Sequence, residues 1–463
     1  MELLSKPAST YLLVITRRNA SEILLVSGGF GWSLPRADAD REQRLAEQLT
    51  AEVAREWKIE TYCLFLPNFP QGNATPRASC AVMDSVRNDE KSCPGTLWVP
   101  RSTAIEFCDS SEQAALRESL AQLDENATAR ANSHFACSGW VQELFRWAQE
   151  QIAPYGLHLT GGFRQLNASP AFSLIRLETD CGAVWFKATG QPNTHELPIT
   201  LTLGRLFPRW MPRIFGVHTA WNGWLSEEAG GASLDSTADF AAWERTAEEL
   251  AKMQISSIGT TDELLAARCR DLRMAALAER IDEFIAYMSE LMSAQKKPAP
   301  APLDRSELEV LRLGLREACA MLQGFELPDT IGHTDFNPGN IFVSEDRCFF
   351  LDWSEGSVSN PVLTLQYLRE YLSRSGIEEP AGRDKLAVAY SRCWTRRYSA
   401  NEIGHALTLA PLVAVFAYAV STESWRSVDP AMDCKLTGYY RGLTRRMYRE
   451  AIEAAQRSEL CLS

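Results

Sequence analysis

The sequence predicts an α+β protein of more than one domain. Three observations lead there. Short apolar runs with strand character recur through the first 230 residues, at 11–15, 23–26, 62–66, 172–178 and 183–187. Farther along, apolar residues recur at helical spacing, most clearly over 243–253 and 264–292. The chain has 463 residues, 45% hydrophobic and 23% charged, which are ordinary globular proportions. At roughly 100–200 residues per domain, that length holds two to four cores.

The strands at 11–15 and 23–26 are separated by the turn-prone 17–21. Leu45, Leu49, Val53 and Trp57 then recur in steps of four, which predicts an amphipathic helix within 38–57. A strand follows at 62–66, a turn-rich stretch at 67–100 and a surface helix at 109–124. Residues 126–133 are small and polar, and a domain boundary is placed there. Helical spacing resumes over 140–153, with Trp140, Leu144, Trp147 and Ile152 on one side. Strands at 172–178 and 183–187 flank a hairpin turn at 179–182. The character is increasingly helical after 214, and the Pro-rich 296–302 joins helices. The expected division is 1–130, 131–231 and 232–463.

Lys plus Arg is 47 and Asp plus Glu is 59, a net charge of 47 − 59 = −12. That balance argues against general affinity for nucleic acid or an anionic membrane. No apolar stretch approaches the ~20 residues that span a bilayer. The longest, 409–420, reads as a buried helix, and 1–16 lacks the pattern of a signal peptide. The 12 cysteines are scattered and form no CxxC pair, as suits reduced thiols in a cytoplasmic protein.

The most informative segment runs from Ile331 to Phe342. It places His333, Asp335 and Asn340 in the order H-x-D-x-x-x-x-N, and Asp352 follows twelve residues after Asn340. Residues 341–343, 344–347 and 348–351 read as strand, turn and strand. Such a hairpin returns Asn340 and Asp352 to one end, close enough to share a metal. Phosphoryl transfer needs a carboxylate to orient and deprotonate the attacking hydroxyl. It also needs hard oxygens to hold Mg²⁺ on nucleotide phosphates. Asp335 suits the first need, and the Asn340 amide and Asp352 carboxylate suit the second. The bland alternative is a capped loop whose Asp and Asn bond local amides.

With those residues in view, the chain resembles the aminoglycoside phosphotransferase and choline kinase group. The resemblance covers roughly 139–440 and implies a two-lobed protein-kinase-like fold, with a small β-rich lobe and a helical lobe. It implies Asp335 as catalytic base, Asn340 and Asp352 as Mg²⁺ ligands, and His333 as the residue orienting the loop. Asn360-Pro361 stands where the group often has Asp-Pro. The implied reaction moves the γ-phosphate of ATP or GTP to a hydroxyl of a small molecule such as an amino sugar or amino alcohol.

A kinase-like lobe also needs a strand lysine aimed at phosphates and a helix glutamate to hold it. Lys187, at the end of 183–187, and Glu196 are the candidates. Gly161 and Gly162 lead a hairpin whose backbone amides could approach phosphates. Residues 226–228, with Glu227, match the passage between lobes and would face the nucleotide base. Substrate contacts are sought in the later helices, with Glu355, Glu370 and Glu378 as acidic candidates for a cationic acceptor.

The N-terminal segment is similar to a Nudix domain. Trp32-Ser-Leu-Pro35 precedes the helix that ends at Trp57, and Glu52 and Glu56 stand at i, i+4 on it. Arg55 replaces one metal glutamate of that family, and Lys58 replaces its glycine. A cation beside a metal site repels the metal. Residues 1–130 are therefore expected to form a separate α/β, Nudix-like domain without hydrolase activity. The rival functions are a nucleotide-binding pseudokinase and Nudix-type diphosphate hydrolysis. No oligomeric state is read from the sequence.

Overall fold

A computed structural model of the chain describes residues 9–28, 31–40, 43–67, 79–88, 93–129, 134–429, 432, 434–457 and 460. Parts of the expected turn-rich and boundary stretches, 68–78, 89–92 and 130–133, lie outside the described residues. The chain forms two compact units. One is Met1–Leu197 with Arg213–Glu228, and the other is Pro198–Pro212 with Ala229–Ser463.

The first unit contains two sheets. Strands β1 (Ser9–Arg17), β2 (Glu22–Gly28), β3 (Gly31–Ser33), β4 (Arg36–Ala39), β5 (Thr61–Phe65), β6 (Ser79–Ser85) and β7 (Thr96–Pro100) make a seven-stranded sheet. Its centre is the parallel pair β1–β6. The apolar runs were continuous because this sheet is covered on both faces. Tyr11, Leu13 and Ile15 pack with Ala46, Leu49 and Val53 of helix α1 (Leu45–Trp57). Leu12 and Val14 point the other way. They join a core with short helix α2 (Arg101–Ala104), α3 (Ser110–Thr128) and α4 (Trp140–Ile152).

That same core takes in Ile175, Leu177, Val184, Phe186 and Leu225 of the second sheet. This sheet is antiparallel, ordered β11 (Ile214–His218), β12 (Gly223–Glu227), β10 (Gly182–Ala188), β9 (Ser173–Thr179), β8 (Leu159–Ala168). The Gln165 amide ties the sheets further. It accepts from Cys63 N at 2.7 Å and donates to Cys63 O at 2.9 Å. The expected separate domain over 1–130 thus shares its core with the sheet that follows. The reason is physical: among the described residues, one face of the seven-stranded sheet is buried against α2, α3, α4 and that second sheet. Helix α5 (Glu196–Leu206) begins in this unit.

The second unit is mainly helical: α6 (Phe240–Ser256), α7 (Thr261–Ala266), α8 (Met274–Ser293), α9 (Arg305–Gly324), α10 (Val362–Leu372), α11 (Gly382–Trp394), α12 (Ala400–Val420) and α13 (Lys435–Gln456). Two small sheets carry its chemistry. One is β13 (Ala232–Ser233), β16 (Ile341–Val343) and β17 (Cys348–Phe350). The other orders β14 (Arg270–Leu272), β18 (Gly356–Ser359) and β15 (Thr330–His333).

Two expectations are corrected. The helical spacing over 264–292 is broken: α7 ends, Arg268 turns left-handed at φ 75°, and β14 pairs parallel to β18 before α8 starts. And α12, 21 residues long, is apolar enough to cross a membrane by length and composition. Of its apolar stretch, 67% is buried within the protein, as in the core helix of a water-soluble fold. The described cysteines are all free thiols, most of them buried.

Candidate active site

The strand before the loop packs closely on its neighbours. A Cβ at Gly332 would lie 2.4 Å from Ser359 Oγ and 2.9 Å from Ser357 Oγ, so a side chain there would displace the serines of β18. His333 follows, fully buried. Its Nδ1 accepts the Asp335 N–H at 3.2 Å, so the proton resides on Nε2, which donates to Asp352 O at 2.9 Å. Burial pulls its pKa down, although the nearby Asp352 and Asp335 charges push the other way. A neutral histidine is the form that can accept on one nitrogen and donate on the other. His333 therefore joins the two aspartate segments through their backbones, the orienting role the resemblance implies.

The predicted strand–turn–strand is present as β16 and β17, with Ile341 opposite Phe350. One step out, Leu351 N donates to Asn340 O at 2.9 Å, so Asn340 and Asp352 stand at the same hairpin end. Asn337 Oδ1 accepts from Gly339 N at 2.9 Å and shapes the preceding turn. Asp352 has φ 62°, a left-handed conformation that costs a non-glycine residue about 1–2 kcal/mol. The His333 bond to its carbonyl and the Trp353 Nε1 bond to Phe350 O (2.9 Å) hold the turn in that shape.

The donor set suits Mg²⁺. The Asn340 amide makes no hydrogen bond to another described residue, and the Asp352 carboxylate accepts from Ser354 Oγ at 3.3 Å. Among the described residues no three His, Cys, Asp or Glu side chains converge as a protein cage. One or two protein oxygens, completed by water and phosphate oxygens, are what Mg²⁺ commonly accepts.

Asp335 itself is half-buried. Its Oδ1 accepts from Tyr371 Oη at 2.7 Å, while no described residue donates to Oδ2. Tyr371 has no counterpart in the motif reading. It lies on α10, 36 residues downstream, and no local spacing marks it. The same helix supplies Thr364, whose Oγ1 accepts from His333 N at 3.0 Å. Asn360, in place of the usual Asp, starts this helix by accepting from Val362 N at 3.3 Å.

In the first unit, the structure brings Lys187 and Glu196 together at 2.5 Å. Glu196 is nearly buried and Lys187 largely so. Gly161 and Gly162 sit in a β-bulge near the open end of the β8–β9 hairpin, not at its turn, 169–172. Gly161 has φ 91°, and a Cβ at Gly162 would lie 3.0 Å from Glu178 Cγ, so both glycines have local structural reasons. Glu227 closes the β11–β12 hairpin by accepting from Arg213 N at 2.9 Å. Its neighbour Glu228 accepts from Arg176 Nε at 2.6 Å and Trp185 Nε1 at 3.2 Å.

Two of the acidic candidates have cationic partners within the protein. Glu355 is ion-paired with Arg270 and accepts from Thr334 Oγ1, and Glu370 is ion-paired with Arg446 and Arg374. Arg270 and Arg446 lie far away in sequence, Arg374 one helical turn away, and all three pair with the carboxylates inside the unit. Glu378 is exposed. On α1, Glu52 accepts two bonds from Arg55, at 3.0 and 2.5 Å, and that partner lowers its pKa.

Comparison with known proteins agrees with the loop. Residues 219–397 match the model of the phosphotransferase enzyme family. The match contains His333, Asp335, Asn340, Asp352 and Tyr371, and over this segment it agrees with the resemblance. No curated protein matches the chain. Solved structures similar to it include choline kinase from Cryptosporidium parvum Iowa II (11% identity, 69% of this chain and 98% of that one, TM-score 0.48). Another is a choline/ethanolamine kinase family protein from Mesorhizobium loti (15%, 68% and 96%, TM-score 0.45). A third is spectinomycin phosphotransferase APH(9)-Ia in complex with ADP and spectinomycin (10%, 67% and 98%, TM-score 0.41). None of these matches supports the Nudix-like reading of 1–130.

Proposed function

We propose that this chain is a Mg²⁺-dependent phosphotransferase that moves the γ-phosphate of ATP or GTP to a hydroxyl of a small molecule, of the amino-sugar or amino-alcohol class. The observation that carries the reading is the pairing of Asp335, with one carboxylate oxygen open, and the Asn340–Asp352 hairpin end, locked together by one neutral histidine. Asp335 Oδ2 accepts the hydrogen bond of the acceptor hydroxyl and orients it. As the new P–O bond forms, the bond from the γ-phosphorus to the bridging oxygen breaks, the nucleoside diphosphate leaves, and Asp335 takes the hydroxyl proton. Asn340 and Asp352 would hold Mg²⁺, which neutralises charge on the phosphate oxygens. Lys187, held by Glu196, is assigned to the nucleotide phosphates. Residues 131–231 and 232–463 are read as the two kinase-like lobes. The same reading gives the protein a nucleotide and a small acceptor as partners, not nucleic acid or a membrane, and places it in the cytoplasm, as its free thiols suit.

The test is a screen of amino sugars, amino alcohols, sugars and nucleosides with γ-labelled ATP and GTP, with and without Mg²⁺. Label transfer to one class, only with Mg²⁺, is expected. Nucleotide binding with no transfer to any acceptor or to water would contradict the reading and favour a pseudokinase.

A further inference from the structure

We propose that Tyr371 is a positioning residue for the catalytic base, fixing the Asp335 carboxylate so that Oδ2 alone meets the acceptor hydroxyl; this rests on the phosphotransferase reading. Asp335 lies on a loop and is partly exposed. His333 fixes only its backbone, through the 3.2 Å bond from Asp335 N to His333 Nδ1. Nothing in the loop itself sets the rotation of the carboxylate. That restraint comes from the Tyr371 hydroxyl, which donates to Oδ1 at 2.7 Å. An O–H bond to a charged oxygen is among the stronger hydrogen bonds, and its direction is specific.

The donor is itself held in place. Thr364 and Tyr371 are seven residues apart, on one face of α10. Thr364 accepts from His333 N and Tyr371 donates to Asp335 side chain, so one helix face braces both ends of His333–Asp335. Burial first, then the Asp335 contact, pushes the Tyr371 pKa up, so the phenol remains a donor over the whole working range. The other titratable or charged groups near this pair are His333, Tyr418, Tyr439 and Arg374. Tyr367, one turn earlier on α10, is a natural control. Its hydroxyl donates to Ala414 O at 2.8 Å and does not meet the loop.

The experiment measures ADP release from Mg·ATP, with water as acceptor, for the full-length protein, Tyr371→Phe, Tyr367→Phe and Asp335→Ala between pH 5 and 9. Melting curves check folding. For Tyr371→Phe, kcat should fall about tenfold while KM for Mg·ATP changes less than about twofold. Tyr367→Phe should melt at lower temperature yet keep the wild-type kcat. Wild-type kcat in Tyr371→Phe, or an equal fall of kcat in Tyr367→Phe, would overturn the inference. Absence of diphosphate release from ATP and GTP by the wild type, with water and with every acceptor of the screen, or full release by Asp335→Ala, would instead overturn the phosphotransferase reading. Loss in Asp335→Ala with an unchanged Tyr371→Phe would remove this inference alone.

Discussion

Two helpings of acidic, metal-like sequence occur in this chain, and they end differently. In the loop around His333, no described arginine or lysine pairs with Asp335, whose Oδ1 accepts from Tyr371, and the histidine is taken up by backbone groups. On α1, Glu52 is held by Arg55 at i, i+3. The i, i+4 spacing of Glu52 and Glu56 carries little meaning when one guanidinium pairs with both. What separates the two stretches is the partner of each carboxylate.

This contrast can be broken or sharpened by mutation, beginning with the largest effect. Asp335→Ala should lower turnover about 10²–10⁴-fold, the usual worth of a positioned general base, while nucleotide affinity measured by titration is kept. Asn340→Ala should raise the Mg²⁺ concentration for half-maximal turnover about 10–100-fold, as lost metal-site contacts do. Glu196→Gln removes the partner of a largely buried Lys187 and should lower stability by about 2 kcal/mol in denaturant unfolding, with a higher KM for nucleotide. Arg55→Ala, on the exposed face of α1, should change neither the melting temperature nor turnover measurably. A large turnover loss from Arg55→Ala would place chemistry on α1 and undo the contrast.

The reactive loop was legible because its residues are close in sequence. Hairpin spacing alone brings Asn340 to Asp352, and the structure keeps that register. Lys187 and Glu196 were legible for the same reason, nine residues apart. Tyr371 was not, because its contact with Asp335 depends on where α10 packs, and no local pattern encodes that. The arginine partners of Glu355 and Glu370, Arg270 and Arg446, are long-range in the same way. The break at 267–273 was hidden because apolar spacing continues through it and no Gly or Pro marks the left-handed turn at Arg268. The shared core between the seven-stranded sheet and the β8–β12 sheet was hidden too. A continuous apolar run shows that a strand is buried on both faces, not what covers each one.

The most direct measurement is calorimetric titration of Mg·ATP into the wild type, Asp352→Asn and Glu52→Gln. The account predicts Mg²⁺-dependent binding in the wild type, its loss in Asp352→Asn and an unchanged isotherm in Glu52→Gln. Unchanged binding in Asp352→Asn, or loss in Glu52→Gln, would contradict it.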